Sequence, residues 1–277
     1  MGPPPPRRRR YGLRVDFVEA MKLGAGAQTA GFRHLHLDIT GSTNVEALAR
    51  GQEDRLWVTA REQSAGRGRR GRAWSSPAGN LYASVVLTDP AEPRRAADLC
   101  FVAALAASDA IIATAPRAAT AMTLKWPNDI LINGAKVVGI LVEGAHAGDC
   151  FSAVIGWGVN IASHPDHTPY PAAHLAATDT ALNVDIYFAA LSDAFAKRLE
   201  LWQRGAGFAE IRKAWLRRAA GLGRRIVVRL PSGDIEGIFE ALDSEGALIL
   251  LDDAGQRRPV SAGEIFFPGL VPSSIGL

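Results

Sequence analysis

Seven residues, Gly66-Arg67-Gly68-Arg69-Arg70-Gly71-Arg72, set the first limit on how this chain can fold. They follow the apolar run Leu56 to Ala60, which reads as a strand, and they precede Trp74. Glycine lets a backbone take left-handed angles and lets other groups approach its N–H donors. Arginine supplies a fixed, always-charged fork that matches phosphate and carboxylate oxygens. Such a stretch has to be a loop, and its make-up is that of a loop closing over something anionic.

At 277 residues the chain exceeds one ordinary domain, so a large domain with a small appendage is expected. Its apolar fraction of 48% and charged fraction of 21% are those of a globular protein. The net charge of +3 does not by itself imply nucleic acid, because much of it sits in Arg7 to Arg10 and in the loop above. Two cysteines, Cys100 and Cys150, lie in apolar surroundings and fit buried thiols of a reducing cytosol. No apolar run reaches the roughly 18 residues of a membrane helix. Pro3 to Pro6 and Arg7 to Arg10 suggest an export signal, but Leu13 to Gly31 contains Asp16, Glu19 and Lys22 and no apolar core. Residues 1–30 are expected to be a loosely ordered leader, and the protein to be cytoplasmic and free of membrane contact.

The pattern predicts a strand at Phe32 to Ile39, then a helix with Thr43 and Glu46 spaced as a capping box. A strand at Asn80 to Thr88 follows the Arg/Gly loop, and Pro93 opens an alanine-rich helix to about Ala115. Strands are expected at Thr123 to Trp126 and Val137 to Glu143, joined by a turn at Asn133-Gly134, and at Phe151 to Ile155. Helices cover Val184 to Gln203 and Phe208 to Ala220. After Gly221 four short strands, separated by Ser232-Gly233, Glu245-Gly246 and Ala254-Gly255, read as a small β-barrel. The expected class is α+β, a mixed or antiparallel sheet with packed helices over 31–221, followed by the barrel over 222–277.

Four polar clusters carry the chemistry. They are Ser42-Thr43-Asn44, Gln63 with the Arg/Gly loop, Lys125-Trp126-Pro127-Asn128-Asp129 with Lys136, and Gly156-Trp157-Gly158-Val159-Asn160. Alone, the first is a helix cap and each lysine a solvated surface group. Two lysines and Asp129 bracketing one hairpin, beside an arginine loop, point to a site for phosphate and a divalent metal, with Asp129 as the metal-side or lysine-orienting carboxylate.

These clusters, with Gly139-Ile140-Leu141-Val142-Glu143, resemble the biotin protein ligase family in order and spacing over about 120 residues. The resemblance implies a catalytic core like that of the class II synthetases and an SH3-like barrel. It implies that biotin's carboxylate attacks the α-phosphate of ATP, with Mg2+, and that the biotinyl-5′-AMP formed is attacked by a lysine of a biotin carboxyl carrier domain of a carboxylase. By that likeness Ser42, Thr43 and Gln63 would bind the ureido ring, and Gly66, Arg67 and Arg69 the carboxylate and phosphate. Arg67, Arg69 and Lys136 would stabilise the reacting centre, with Lys136 also touching biotin. Arg70, Arg72, Trp74 (stacked on adenine), Lys125, Asn128 and Asn160 would serve the nucleotide. No protein nucleophile is needed, since positioning and charge stabilisation supply the catalysis. The loop 64–73, with like charges and no anion, is expected to be mobile until the adenylate binds.

About thirty residues before the first strand are too few for the DNA-binding domain of the family's repressors, so no DNA contact is expected. Phe266-Phe267-Pro268 follows Gly263-Glu264-Ile265 where some members place an arginine near the nucleotide, and Trp157 stands where smaller residues are common. Monomers and homodimers both occur in the family. A lipoate ligase is the first rival, but its slot would lack the polar set of Ser42, Thr43 and Gln63. A nucleic-acid binder is the second, but the Arg/Gly loop has no interleaved aromatic. His164, His167 and His174 lie in a Pro-rich loop without the register of a zinc site. Arg217-Arg218 and Arg224-Arg225 read as solvated faces or as a dock for an acidic carrier.

Overall fold

A computed structural model describes residues 21–147 and 150–267. The larger unit runs α1 (Ala25–Thr29), β1 (Arg33–Thr40), α2 (Thr43–Leu48), β2 (Leu56–Gln63), β3 (Leu81–Thr88), α3 (Asp98–Thr114) and α4 (Pro116–Ala119). It continues with β4 (Met122–Lys125), β5 (Asp129–Ile132), β6 (Ala135–Ala147), β7 (Cys150–Val159), α5 (Val184–Trp202) and α6 (Phe208–Leu216). Its seven strands form one mixed sheet in the order β1-β2-β3-β7-β6-β5-β4. Only β1 and β2 pair in parallel.

The two faces of that sheet differ because side chains alternate along each strand. On β7, Ala153, Ile155, Trp157 and Val159 join the main core, whereas Val154 belongs to a smaller cluster beneath α2. Gly156 and Gly158 share the face of Val154, and there they leave the sheet bare. Alanine-rich α3 is buried nearly all round, its small side chains letting the sheet and α5 approach closely. The segment Pro93–Thr114 is long and apolar enough to cross a bilayer, yet it forms this core helix. Trp57 stacks on Trp157 at 5.1 Å between ring centroids, and Phe188 and Phe195 meet Trp57 edge-on. Trp157 thus belongs to the core, with Nε1 donating to the Ala103 carbonyl, and its bulk does not enter the opposite face.

Beyond Gly221, β8 (Arg225–Leu230), β9 (Gly233–Leu242), β10 (Leu248–Leu251), β11 (Arg257–Val260) and β12 (Glu264–Phe266) form a five-stranded antiparallel sheet, ordered β11-β10-β9-β8-β12. Four of these strands match the expectation, and β12 is additional. Residues 1–20 of the expected leader, and Pro268, lie outside the described residues. Residues 21–30 depart from the leader reading. Ala27 is fully buried, and α1 docks on α5 through Gly24 N–H to Ser192 Oγ at 2.9 Å and Ala27 N–H to Asp193 Oδ1 at 2.8 Å.

The hairpin reading is corrected too. Asp129–Ile132 is a strand between the two expected ones, so Lys125 and Lys136 lie on β4 and β6 with β5 between them. The Asn133-Gly134 turn joins β5 to β6, with both residues in the left-handed region. The capping box also fails. Thr43 Oγ1 turns to Gln63 and Ser84, and Glu46 takes Thr40 and Arg50.

Candidate active site

A cleft opens on the bare face of the sheet. Its floor is made by glycines at 139, 156 and 158, and its roof by the Arg/Gly loop. Ser42 and Thr43 close one end, and β12 with Lys125 closes the other. The floor has to be glycine. A Cβ on Gly158 would stand 2.4 Å from Trp74 Cε2, and one on Gly139 2.9 Å from Trp74 Cζ3. Trp74 therefore lies on the strand backbone inside the cleft, with its buried Nε1 lacking a partner.

The roof is held down by contacts that the sequence pattern did not supply. Arg67 reaches Glu143 at 3.0 Å, and Arg72 pairs with Glu264 of β12. Arg69 donates to Asn128 Oδ1 at 3.2 Å and to the Gly263 carbonyl at 3.5 Å. Asn128 is pinned to β6 through the Ile140 carbonyl at 2.7 Å. Arg70 sits at the tip in the left-handed region, φ 56°, and is exposed. Gly66 forms the base of the loop, where a Cβ would meet Ser76 Oγ at 2.4 Å. The expectation of a mobile loop overlooked two carboxylates, Glu143 and Glu264, that neutralise two of its arginines.

Lys136 projects from β6 between the rings of Trp74 and Tyr170, with Nζ 5.4 and 5.2 Å from their centroids. Its Nζ lies 2.7 Å from Asp129 Oδ1. That contact has ion-pair distance but not hydrogen-bond alignment, which leaves the oxygen without a directed donor. Lys125 forms no ion pair among the described residues and faces the Phe266 ring at 5.5 Å. Burial holds its ammonium below the ordinary lysine value, against the opposing pull of Asp129 and Glu264. Hydrogen bonding from Arg72 holds the Glu264 carboxyl below the ordinary glutamate value. The cleft thus presents Lys125, Lys136, Arg69 and Arg70 to any anion inside it.

At the far end Gln63 Oε1 accepts from Thr43 N–H at 2.8 Å, and Gln63 Nε2 donates to Ser76 Oγ at 3.0 Å. Asn160 is not in the wall. It is 3% exposed and ties down the loop after β7 through the Ala173 carbonyl at 3.1 Å. The same loop is ordered by Asn80, whose Oδ1 accepts from three successive amides at 161–163, a role that sequence reading missed.

As to metals, Asp129 is engaged by Lys136, and no three His, Cys, Asp or Glu side chains converge among the described residues. His164 and His174 meet each other, Nδ1 to Nδ1 at 2.8 Å. Arg218 pairs with Asp109 and Arg225 with Asp253, so neither is a free surface cation.

A profile of the Biotin/lipoate A/B protein ligase family matches residues 38–160, and one of the Biotin protein ligase C terminal domain matches residues 221–267. The chain is 46% identical, over 244 residues, to a biotin–[acetyl-CoA-carboxylase] ligase of Paracoccus denitrificans, covering 83% of this chain and 98% of that relative. Among solved structures it resembles the biotin protein ligase of Aquifex aeolicus in complex with biotin and ATP. The TM-score is 0.71 at 24% identity, with 84% of this chain and 97% of that one covered. It also resembles the Leishmania major enzyme with biotinyl-5-AMP, with a TM-score of 0.60 at 26% identity over 83% and 99% of the two chains.

Proposed function

The chain belongs to the biotin protein ligase family, and from that premise we propose how its residues divide the work. The enzyme is an ATP-dependent ligase that joins biotin to a carboxyl carrier domain of a carboxylase. The observation that carries the division is the polarity of the cleft. Ser42, Thr43 and Gln63 make one end neutral and hydrogen-bonding, and at the other end the cations Arg69, Arg70, Arg72, Lys125 and Lys136 outnumber the carboxylates Asp129 and Glu264. A ureido ring suits the first end and a carboxylate with a triphosphate suits the second, and the apolar slot of a lipoate site is not what Ser42, Thr43 and Gln63 build.

In the first step a carboxylate oxygen of biotin bonds to the α-phosphorus, and the bond to the bridging oxygen breaks, releasing pyrophosphate. Two anions must be held together, so Lys136 and Arg69 act at the junction, where charge grows on the phosphoryl oxygens. Asp129 aims Lys136, whose Nζ lies 2.7 Å away. Arg70, Arg72, Lys125 and Asn128 line the nucleotide end, with Asn128 acting by holding Arg69. Trp74 covers the glycine floor and offers its ring to the adenylate. Magnesium would accompany ATP as the counter-ion of the triphosphate, since no three His, Cys, Asp or Glu side chains converge among the described residues. In the second step a lysine amine of the carrier bonds to the acyl carbon, AMP leaves, and the nitrogen loses a proton to solvent. Arg67, expected at the carboxylate, acts from its Glu143 pair as part of the roof. The reading places the reaction in the cytoplasm.

The step is tested by biotin-dependent exchange of labelled pyrophosphate into ATP. Wild type is expected to exchange label, and Lys136→Ala and Arg69→Ala to do so about 10²- to 10³-fold more slowly. Full exchange by Lys136→Ala would remove that residue from the chemistry.

A further inference from the structure

Ser84 has no part in the roles above, yet it is a fully buried hydroxyl in the apolar strand β3. Its Oγ lies 2.8 Å from Thr43 Oγ1 and 2.6 Å from Asn44 Oδ1. Asn44, 4% exposed, donates from Nδ2 to Glu143 Oε2 at 2.8 Å, and Glu143 Oε1 takes Arg67. Gly156 is required beneath this chain, since a Cβ there would stand 2.0 Å from Asn44 Oδ1.

Counting protons fixes the direction of the bonds from Glu143 through Asn44 to Ser84. A carboxylate only accepts, so Asn44 turns its amide nitrogen to Glu143 and its oxygen to Ser84. An amide oxygen only accepts, so the single proton of Ser84 points to Asn44. Ser84 can then only accept from Thr43. Gln63 Oε1, which takes the Thr43 N–H at 2.8 Å, lies 3.1 Å from Thr43 Oγ1 and is the second protein acceptor open to the same hydroxyl proton. What Thr43 Oγ1 has left for a ligand is a lone pair.

We propose that Ser84, Asn44 and Glu143 are positioning residues, a relay of fixed hydrogen-bond direction that makes Thr43 an acceptor and so selects a ligand presenting an N–H at that end. Arg67 locks the relay by holding Glu143 in place. The inference rests on biotin as the ligand, since each ureido nitrogen carries the N–H that such an acceptor takes. A ring with oxygen in place of that N–H would set lone pair against lone pair, a mismatch that sites built to hydrogen-bond their substrate reject strongly.

The relay also predicts what reverses it. In Glu143→Gln the new side chain turns its oxygen to Arg67 and its nitrogen to Asn44. Asn44 then flips, Ser84 points to Thr43, and the Thr43 proton is left to Gln63 or the ligand. In Ser84→Ala the relay is cut and Thr43 keeps only Gln63 Oε1 as a protein acceptor.

The test measures the affinity of the full-length protein for biotin and for its two cyclic carbamate analogues, each with one ureido N–H replaced by oxygen, together with the KM for ATP. Wild type should prefer biotin over the analogue that meets Thr43. That ratio should fall about tenfold in Ser84→Ala, with the KM for ATP unmoved, and further in Glu143→Gln. Because the ratio is taken within one protein, a general loss of folded material cancels from it. A ratio within threefold of wild type in either folded variant would overturn the relay. Should Ser84→Ala not fold, Glu143→Gln, at a carboxylate 27% exposed, decides alone. A wild type that binds no biotin at all would instead remove the reading of the function.

Discussion

At Lys125 burial and charge pull in opposite directions, and the ligand decides the balance. Desolvation lowers the folded-state value below that of a free lysine, so at alkaline pH the empty cleft holds fewer protons there than an exposed lysine would. A bound triphosphate favours the ammonium and raises that value. ATP binding should therefore take up protons as pH approaches the ordinary lysine range, and affinity should fall as pH rises through the depressed value. Calorimetry in buffers of different ionisation enthalpy should show this uptake in wild type and not in Lys125→Met. Gly158→Ala tests the floor, because its Cβ would displace Trp74 and should destabilise the protein by about 1–3 kcal/mol in denaturant unfolding. The residue types of the site were legible, because glycine, arginine and lysine at these spacings have few other uses. Their partners were not. Glu143 lies 76 positions from Arg67, and Glu264 lies 192 from Arg72, distances that no local pattern spans. Ser84 was hidden inside a run that reads as plain apolar strand.

The elements show the same divide. Long periodic segments such as α3 and α5 declare themselves, whereas β5 has four residues between Pro127 and the Asn133-Gly134 turn and becomes a strand only by pairing on both sides. Trp157 is placed at this scale, since its neighbours Gly156 and Gly158 face the cleft and alternation sends Trp157 to the core. The start of α3 is joined to the end of α5 by Asp98, 2% exposed, which takes Trp202 Nε1 at 2.9 Å and Arg95 at 2.5 Å. Burial outweighs both partners and raises its carboxyl to about 6. The native state then holds a proton that the unfolded chain has released, so the stability from this group is full below the ordinary aspartate value and lost as pH rises through about 6. Comparing urea unfolding of wild type and Asp98→Asn between pH 4 and pH 7 should show the extra loss in wild type only. Parallel curves would contradict it.

For the whole molecule, the cleft belongs to both units of the chain. Trp126 Nε1 donates to the Gly246 carbonyl at 3.1 Å, which anchors the Lys125 to Asp129 segment on the second sheet. Arg72 and Glu264 then join the roof to β12. This contribution was the least legible part of the site, because it depends on a strand of three residues and on how two sheets meet. In Glu264→Gln the roof should lose that anchor, and trypsin should cut at 69–72 faster than in wild type. Low pH should do the same to wild type, since Glu264 pairs as a carboxylate and the contact is lost as pH falls through its depressed value. Equal cleavage rates would show that the barrel unit does not hold the loop. The account as a whole rests on transfer. Labelled biotin, ATP and magnesium, incubated with this protein and a biotin carboxyl carrier domain, should place label on the carrier with wild type and almost none with Lys136→Ala or Arg69→Ala. No label transferred by wild type, or lipoate transferred as readily as biotin, would contradict it.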